Sequence, residues 1–205
     1  MMASSIFLLV AFLHVVVAAA AVERPIVSPA PGTVLYLPPD ERYTTRNAVL
    51  NLAKVGAAAY AVETPPVTML SFRKQAANLS ALDSWLEARA ANTSVVALVL
   101  SLEMYVYGGL IQSRISNATE AVVLSRLQRL VTFQQRHPRV LVYVSAVVMG
   151  IPSYNGDFEE PWHWANFGRD LFEYSFLLSR FKALHHVSDE IQAKQFAALV
   201  PPNAL

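Results

Sequence analysis

Five side chains in this sequence have the types and the positions to act on a ligand: Asp40, Arg42, Glu103, Tyr107 and Arg114. Each follows closely on an apolar run that reads as a buried strand, Thr33–Leu37 ahead of the first two and Val95–Leu100 ahead of the rest. In parallel α/β proteins, ligands sit just outside the carboxyl ends of the strands. Asp40 and Glu103 are therefore candidate catalytic residues. Two carboxylates on neighbouring loops can serve as acid and base on a glycosidic bond, given a separation of roughly 5–10 Å. Arg42 and Arg114 are candidate ligand-binding residues, because a guanidinium grips a carboxylate or phosphate through two parallel donors. Tyr107 adds a hydroxyl. Gly108-Gly109 supplies either positive φ or room for a close backbone approach.

The same residues admit a purely structural reading. Asp40 and Arg42 would then be a local pair stabilising a turn, and Glu103 with Arg114 a buried ion pair holding the Gly-Gly turn. Other chemistries find no support. The glycine pair lacks the Gly-x-Gly-x-x-Gly spacing of a phosphate loop, and no Gly-x-Ser-x-Gly marks a hydrolase serine. The adjacent His185 and His186 would point to different faces of a helix, so no metal site is expected. The aromatics from Trp162 to Phe176 are expected in a helix core rather than as a sugar platform. No residue pattern names a cofactor.

The elements that must position these residues alternate. Strand Thr33–Leu37 ends at Pro38-Pro39, because proline cannot supply a sheet amide. A helix over 46–55 follows, then a weak strand over 57–62 and a short helix opening at Ser80 with capping-box spacing to Asp83. After the strand at 95–100 and the Glu103–Arg114 motif, Asn117 is the expected cap of a helix. The spacing of Ala121, Leu124, Leu127, Leu130 and Val131 supports that helix. A strand over 140–148 follows, then a helix beginning at Pro161 and a last helix capped by Ser188. Apolar strands alternating with helices imply a parallel sheet of about four strands, either a Rossmann-like open sheet or the first half of a β/α barrel, and an incomplete one.

Composition bounds the rest. The chain has 205 residues, a formal net charge of +1 and no cysteine. Without cysteine there are no disulfides, and the fold rests on core burial. The near-neutral, scattered charge argues against a nucleic-acid partner. The uncharged run Ile6–Ala21 is short of the roughly 20 residues a spanning helix needs and ends in small residues. Residues 1–21 are therefore read as a secretory signal peptide, which is the chain's membrane contact, and 22–205 as one α/β domain. The expected location is outside the cell or in the secretory lumen. Asn78, Asn92 and Asn117 head Asn-x-Ser/Thr sequons and are candidate glycosylation sites.

Several of these residues also carry a resemblance. Ser101-Leu102, Met104, Tyr107-Gly108-Gly109-Leu110 and Ser113-Arg114 resemble the hallmark of an uncharacterised family, domain of unknown function 4127. Pro38, Asp40, Arg42, Pro65-Pro66, Met69-Leu70, Leu82 and Trp85-Leu86 fit it in order. The sequence departs from the family pattern at Glu103, an aspartate there, at Tyr43, a proline there, and at Gly150, an arginine there. The resemblance implies the N-terminal portion of a longer architecture, and it supplies no reaction. Two functions are left open. One is a secreted hydrolase-like protein acting on a saccharide or similar polar substrate. The other is a non-catalytic fragment or paralogue that at most binds such a ligand.

Overall fold

The computed structural model describes residues 32–55 and 60–203; the signal segment read over 1–21 lies outside them. The chain has two compact units, one up to Ala146 and one from Val147.

The first unit is the α/β unit. Its elements run β1 (Thr33–Leu37), α1 (Asn47–Val55), β2 (Ala61–Glu63), a 3₁₀ turn (Val67–Met69), α2 (Leu79–Ala90), β3 (Val95–Ser101), a π-helical turn (Glu103–Tyr107), α3 (Leu110–Ile115), α4 (Glu120–Arg136) and β4 (Leu141–Ser145). The strands form one sheet in the order β2-β1-β3-β4, and every neighbouring pair is parallel. The sheet is open and its order is not the sequential β1-β2-β3-β4 of a half barrel, so the Rossmann-like form of the expectation holds and the barrel form does not.

The strand order has a physical consequence. The β1→β2 connection runs one way along the sheet, whereas β2→β3 and β3→β4 run the other way. With right-handed crossovers, α2 and α4 share one face. Ion pairs between these two helices agree, Arg129 to Asp83 at 3.0 Å and Arg136 to Glu87 at 2.6 Å. Under them lies the apolar core. Leu35, Leu37, Leu98 and Leu100 pack with Leu82 and Leu86 of α2, with Leu127, Leu130 and Phe133 of α4, and with Met104 and Val106. Helix α1 buries no residue, and Tyr143, on β4, is 57% exposed.

Several boundaries differ from expectation, each for a local reason. Strand β4 stops at Ser145 because its partner β3 ends at the paired Ser101, leaving Ala146–Val148 with no ladder to join. Helix α2 starts two residues early. Asn78 caps it by accepting from the Ala81 amide at 3.1 Å, so Ser80 lies inside the helix. Thr119, two residues nearer to its helix than Asn117, caps α4. Strand β2 covers Ala61–Glu63 rather than 57–62, and residues 56–59 lie outside the described residues.

In the second unit, α5 (Trp164–Leu184) and α6 (Val187–Ala197) pack against each other. Pro161 falls in a turn ahead of α5, whose Trp164 amide donates to the Pro161 carbonyl. Helix α6 follows His186 rather than Ser188. Arg180 grips the buried Asp189 with two donors at 2.7 and 2.5 Å, which holds that carboxyl below its ordinary range. Phe172 and Phe176 stack, and Arg180 lies over the Phe176 ring. Among the described residues no helix is long and apolar enough to cross a membrane.

If the core lies on the α2/α4 face, Leu98→Ala should lower stability by about 2–5 kcal/mol, through lost burial and the cavity left behind. Tyr143→Ala should cost less than about 1 kcal/mol. Urea unfolding of both variants measures this, and equal losses would contradict the assignment of faces.

Candidate functional site

Parallel pairing of β1 with β3, with Leu37 opposite Leu100, delivers the chain after both strands to the same end of the sheet. The order of connections reverses between these two strands, which makes their carboxyl ends a topological switch point. Five buried polar residues lie at or beyond that edge: Asp40, Ser71, Ser101, Glu103 and Gln112. A side chain of this kind stays buried only when its hydrogen bonds are met, and the bonds it makes define what it can do.

Asp40 is 4% exposed. Its Oδ1 accepts from the Arg42 backbone amide at 3.1 Å, forming an Asx turn, and from the Thr45 hydroxyl. Its Oδ2 accepts from Arg42 Nε at 2.7 Å and Nη2 at 2.6 Å. Asp40 and Arg42 thus form the local pair of the structural reading. Glu103 opens the π-helical turn and accepts a hydrogen bond from the Ser101 hydroxyl. Two tyrosines face these carboxylates. The Tyr36 phenol is pushed up by burial and then by Asp40. That of Tyr107 is pushed up by burial and then by Glu103, with Arg126 opposing. Both hold their protons at neutral pH and are hydrogen-bond donors. Tyr36 spends its hydroxyl on the Thr45 carbonyl at 2.7 Å.

The π-helical turn ends where glycine is required. Gly108 adopts φ 83° and Gly109 φ 145°. The Gly109 amide reaches back to the Glu103 carbonyl at 3.0 Å, and Arg126 donates to the Val106 carbonyl. Segment 71–77 lies directly on the glycines. The Ala77 amide donates to the Gly108 carbonyl at 2.9 Å. A Cβ on Gly109 would sit 2.7 Å from Ser71 Oγ and 2.1 Å from Gln112 Oε1. The expected close backbone approach is therefore present, and its partner is the connection after β2. Arg114 occupies the last turn of α3.

Sequence reasoning missed four residues that tie this edge together. Glu41 accepts from the Ser71 hydroxyl at 2.9 Å and from the Arg73 amide at 3.2 Å. Gln112 donates through Nε2 to the Arg73 carbonyl at 2.8 Å. The connections after β1, β2 and β3 thus meet at one residue's backbone. Glu41 stood in the visible Asp-Glu-Arg run. Ser71 and Arg73 follow no strand directly, and nothing in the polarity of Gln112 announces its burial. Among the described residues, no three His, Asp or Glu converge as a metal site.

Comparison with known proteins identifies the family. The family model described as "Protein of unknown function (DUF4127)" matches residues 34–205, and the chain belongs to that family. No curated protein and no solved structure matches it.

Gly109→Ala should unfold at a lower temperature than the parent, by more than 4 °C, because it adds a forbidden φ to a clash with Ser71. Gly150→Ala is the control, since its added Cβ would meet nothing within 4 Å. Thermal melts of the two variants measure the difference, and equal melting temperatures would contradict the close approach.

Proposed function

We propose that the rim beyond β1 and β3 binds a small polar ligand, such as a saccharide, without hydrolysing it. One observation carries this reading: both oxygens of Asp40 are engaged by Arg42 and Thr45 on a nearly buried side chain. A general acid or base must exchange a proton with substrate, directly or through one water. A carboxylate saturated by a guanidinium, an amide and a hydroxyl is better suited to shaping a turn. Ligand binding itself is supported by the switch-point location and by the concentration of buried polar side chains there. The hydrolytic reading would instead need Asp40 and Glu103 to open toward a shared bond.

The test combines calorimetry against a panel of mono- and oligosaccharides with chromogenic glycosides as hydrolysis substrates. Saturable binding without chromophore release is the expected result. Release that falls at least about 100-fold in both Asp40→Asn and Glu103→Gln would establish the hydrolase instead. Absence of binding to any panel member would overturn the binding reading.

We further propose that the chain is secreted and N-glycosylated. Asn78, Asn92 and Asn117 are all exposed. The bonds that Asn78 and Asn92 make to Ala81 and Ser94 use the amide oxygen, whereas a glycan joins the amide nitrogen. Expressed in a glycosylating secretory host, the protein should reach the medium and drop in apparent mass on enzymatic deglycosylation. Asn117→Gln should remove one step of that shift. Retention inside the cell with unchanged mass would contradict both parts.

A further inference from the structure

Arg73 is held in a conformation that L-residues avoid. Its φ is 51°, in the left-handed region that suits glycine or asparagine. It sits in a tight turn closed by a reciprocal pair of bonds, Phe72 amide to Gln75 carbonyl at 3.0 Å and Gln75 amide to Phe72 carbonyl at 2.9 Å. Such strain persists only where the surroundings over-determine it, and here they do. Glu41 takes the Arg73 amide and Gln112 donates to its carbonyl. Gln112 makes that bond at a cost. It is buried, and its Oε1 has no hydrogen-bond partner among the described residues. Turning the amide over would set an oxygen against the Arg73 carbonyl, so the orphaned acceptor comes with the clamp. Two buried or partly buried polar side chains are thus committed to fixing one exposed basic residue.

The Arg73 side chain lies over the Phe72 ring, with the guanidinium carbon 5.5 Å from its centroid, and Phe72 is 61% exposed. Lys74 follows on the turn and is exposed. The turn is joined through Ser71 and Gly109 to the switch-point rim. A guanidinium braced on an aromatic face presents its donor edge to an oxyanion while the ring offers an apolar surface to the rest of the ligand.

We infer that Arg73 is a specificity residue of the rim, selecting ligands that carry a carboxylate or phosphate group over neutral ones. This rests on the proposed binding function and narrows its ligand class to acidic sugars and molecules like them. Glycine at position 73 would remove the guanidinium while relieving the backbone, so loss of recognition and loss of fold are separable.

The experiment titrates the full chain with glucose, glucuronate and glucose 6-phosphate by calorimetry, and repeats the series with Arg73→Gly and Arg73→Lys. At least one acidic sugar should bind about tenfold or more tightly than glucose, the magnitude of one charge-assisted contact. Which acidic sugar does so distinguishes a carboxylate from a phosphate ligand. Arg73→Gly should erase that preference with a Tm equal to or above the parent's, and Arg73→Lys should retain part of the preference. Equal binding of neutral and acidic sugars would overturn this inference and leave the binding reading intact. So would an unchanged preference in Arg73→Gly, or a fall in its Tm. Failure of all three sugars to bind would overturn this inference, and failure of the whole saccharide panel would overturn the binding reading as well.

Discussion

Backbone meets backbone where Gly108 passes Ala77, with the Ala77 amide donating to the Gly108 carbonyl at 2.9 Å and Gly109 lying against Ser71. Any larger residue at position 109 would push the connection after β2 away from the one after β3. The Ser71 hydroxyl would then leave Glu41, and the Arg73 turn would lose the support of both Glu41 and Gln112. The glycine pair is thus the constraint from which the geometry of the rim follows. It is itself set by the π-helical turn, whose wide backbone ring brings the Gly108 amide back to the Glu103 carbonyl, where the Gly109 amide joins it at 3.0 Å.

Magnitudes decide which rim contacts matter. The Arg42 side chain is 45% exposed, so its attraction to Asp40 is screened by water and is worth little by itself. The amide and hydroxyl that reach the same carboxylate are charge-assisted bonds to a buried acceptor, worth roughly 1.5–3 kcal/mol each. Asp40 is accordingly first a turn-former at the end of β1. The same weighing applies on the α2/α4 face, where the arginines of Asp83–Arg129 and Glu87–Arg136 are more than half exposed. Leucines beneath them carry the energy, and the charges fix how the two helices lie against each other.

How far the sequence reveals this protein depends on whether a feature is local. Strands β1 and β3 are marked by their near-continuous apolar runs, and their alternation with helices implies the parallel pairing. The need for glycine at 108 and 109 was also legible, because two adjacent glycines beside a strand end have few other uses. Ends governed by partners were not. Val147 and Val148 continue the pattern of β4, yet they fall outside the sheet because β3 has already turned away. Hidden too was the role of Arg73 and Gln112. Their importance comes from a meeting of three connections, 39 residues apart along the chain at that contact, that no spacing rule encodes.

The central claim is that these three connections form one interlocked unit around the Arg73 turn. A double-mutant cycle between Glu41→Ala and Gln112→Ala, read as free energies of urea unfolding, tests it most directly, because one side chain holds the amide and the other the carbonyl of the same residue, Arg73. The account predicts non-additivity of at least about 0.5 kcal/mol, since losing either clamp frees the turn and makes the other nearly worthless. Losses that sum to the double mutant's value within about 0.3 kcal/mol would mean that the contacts are independent, and would contradict it.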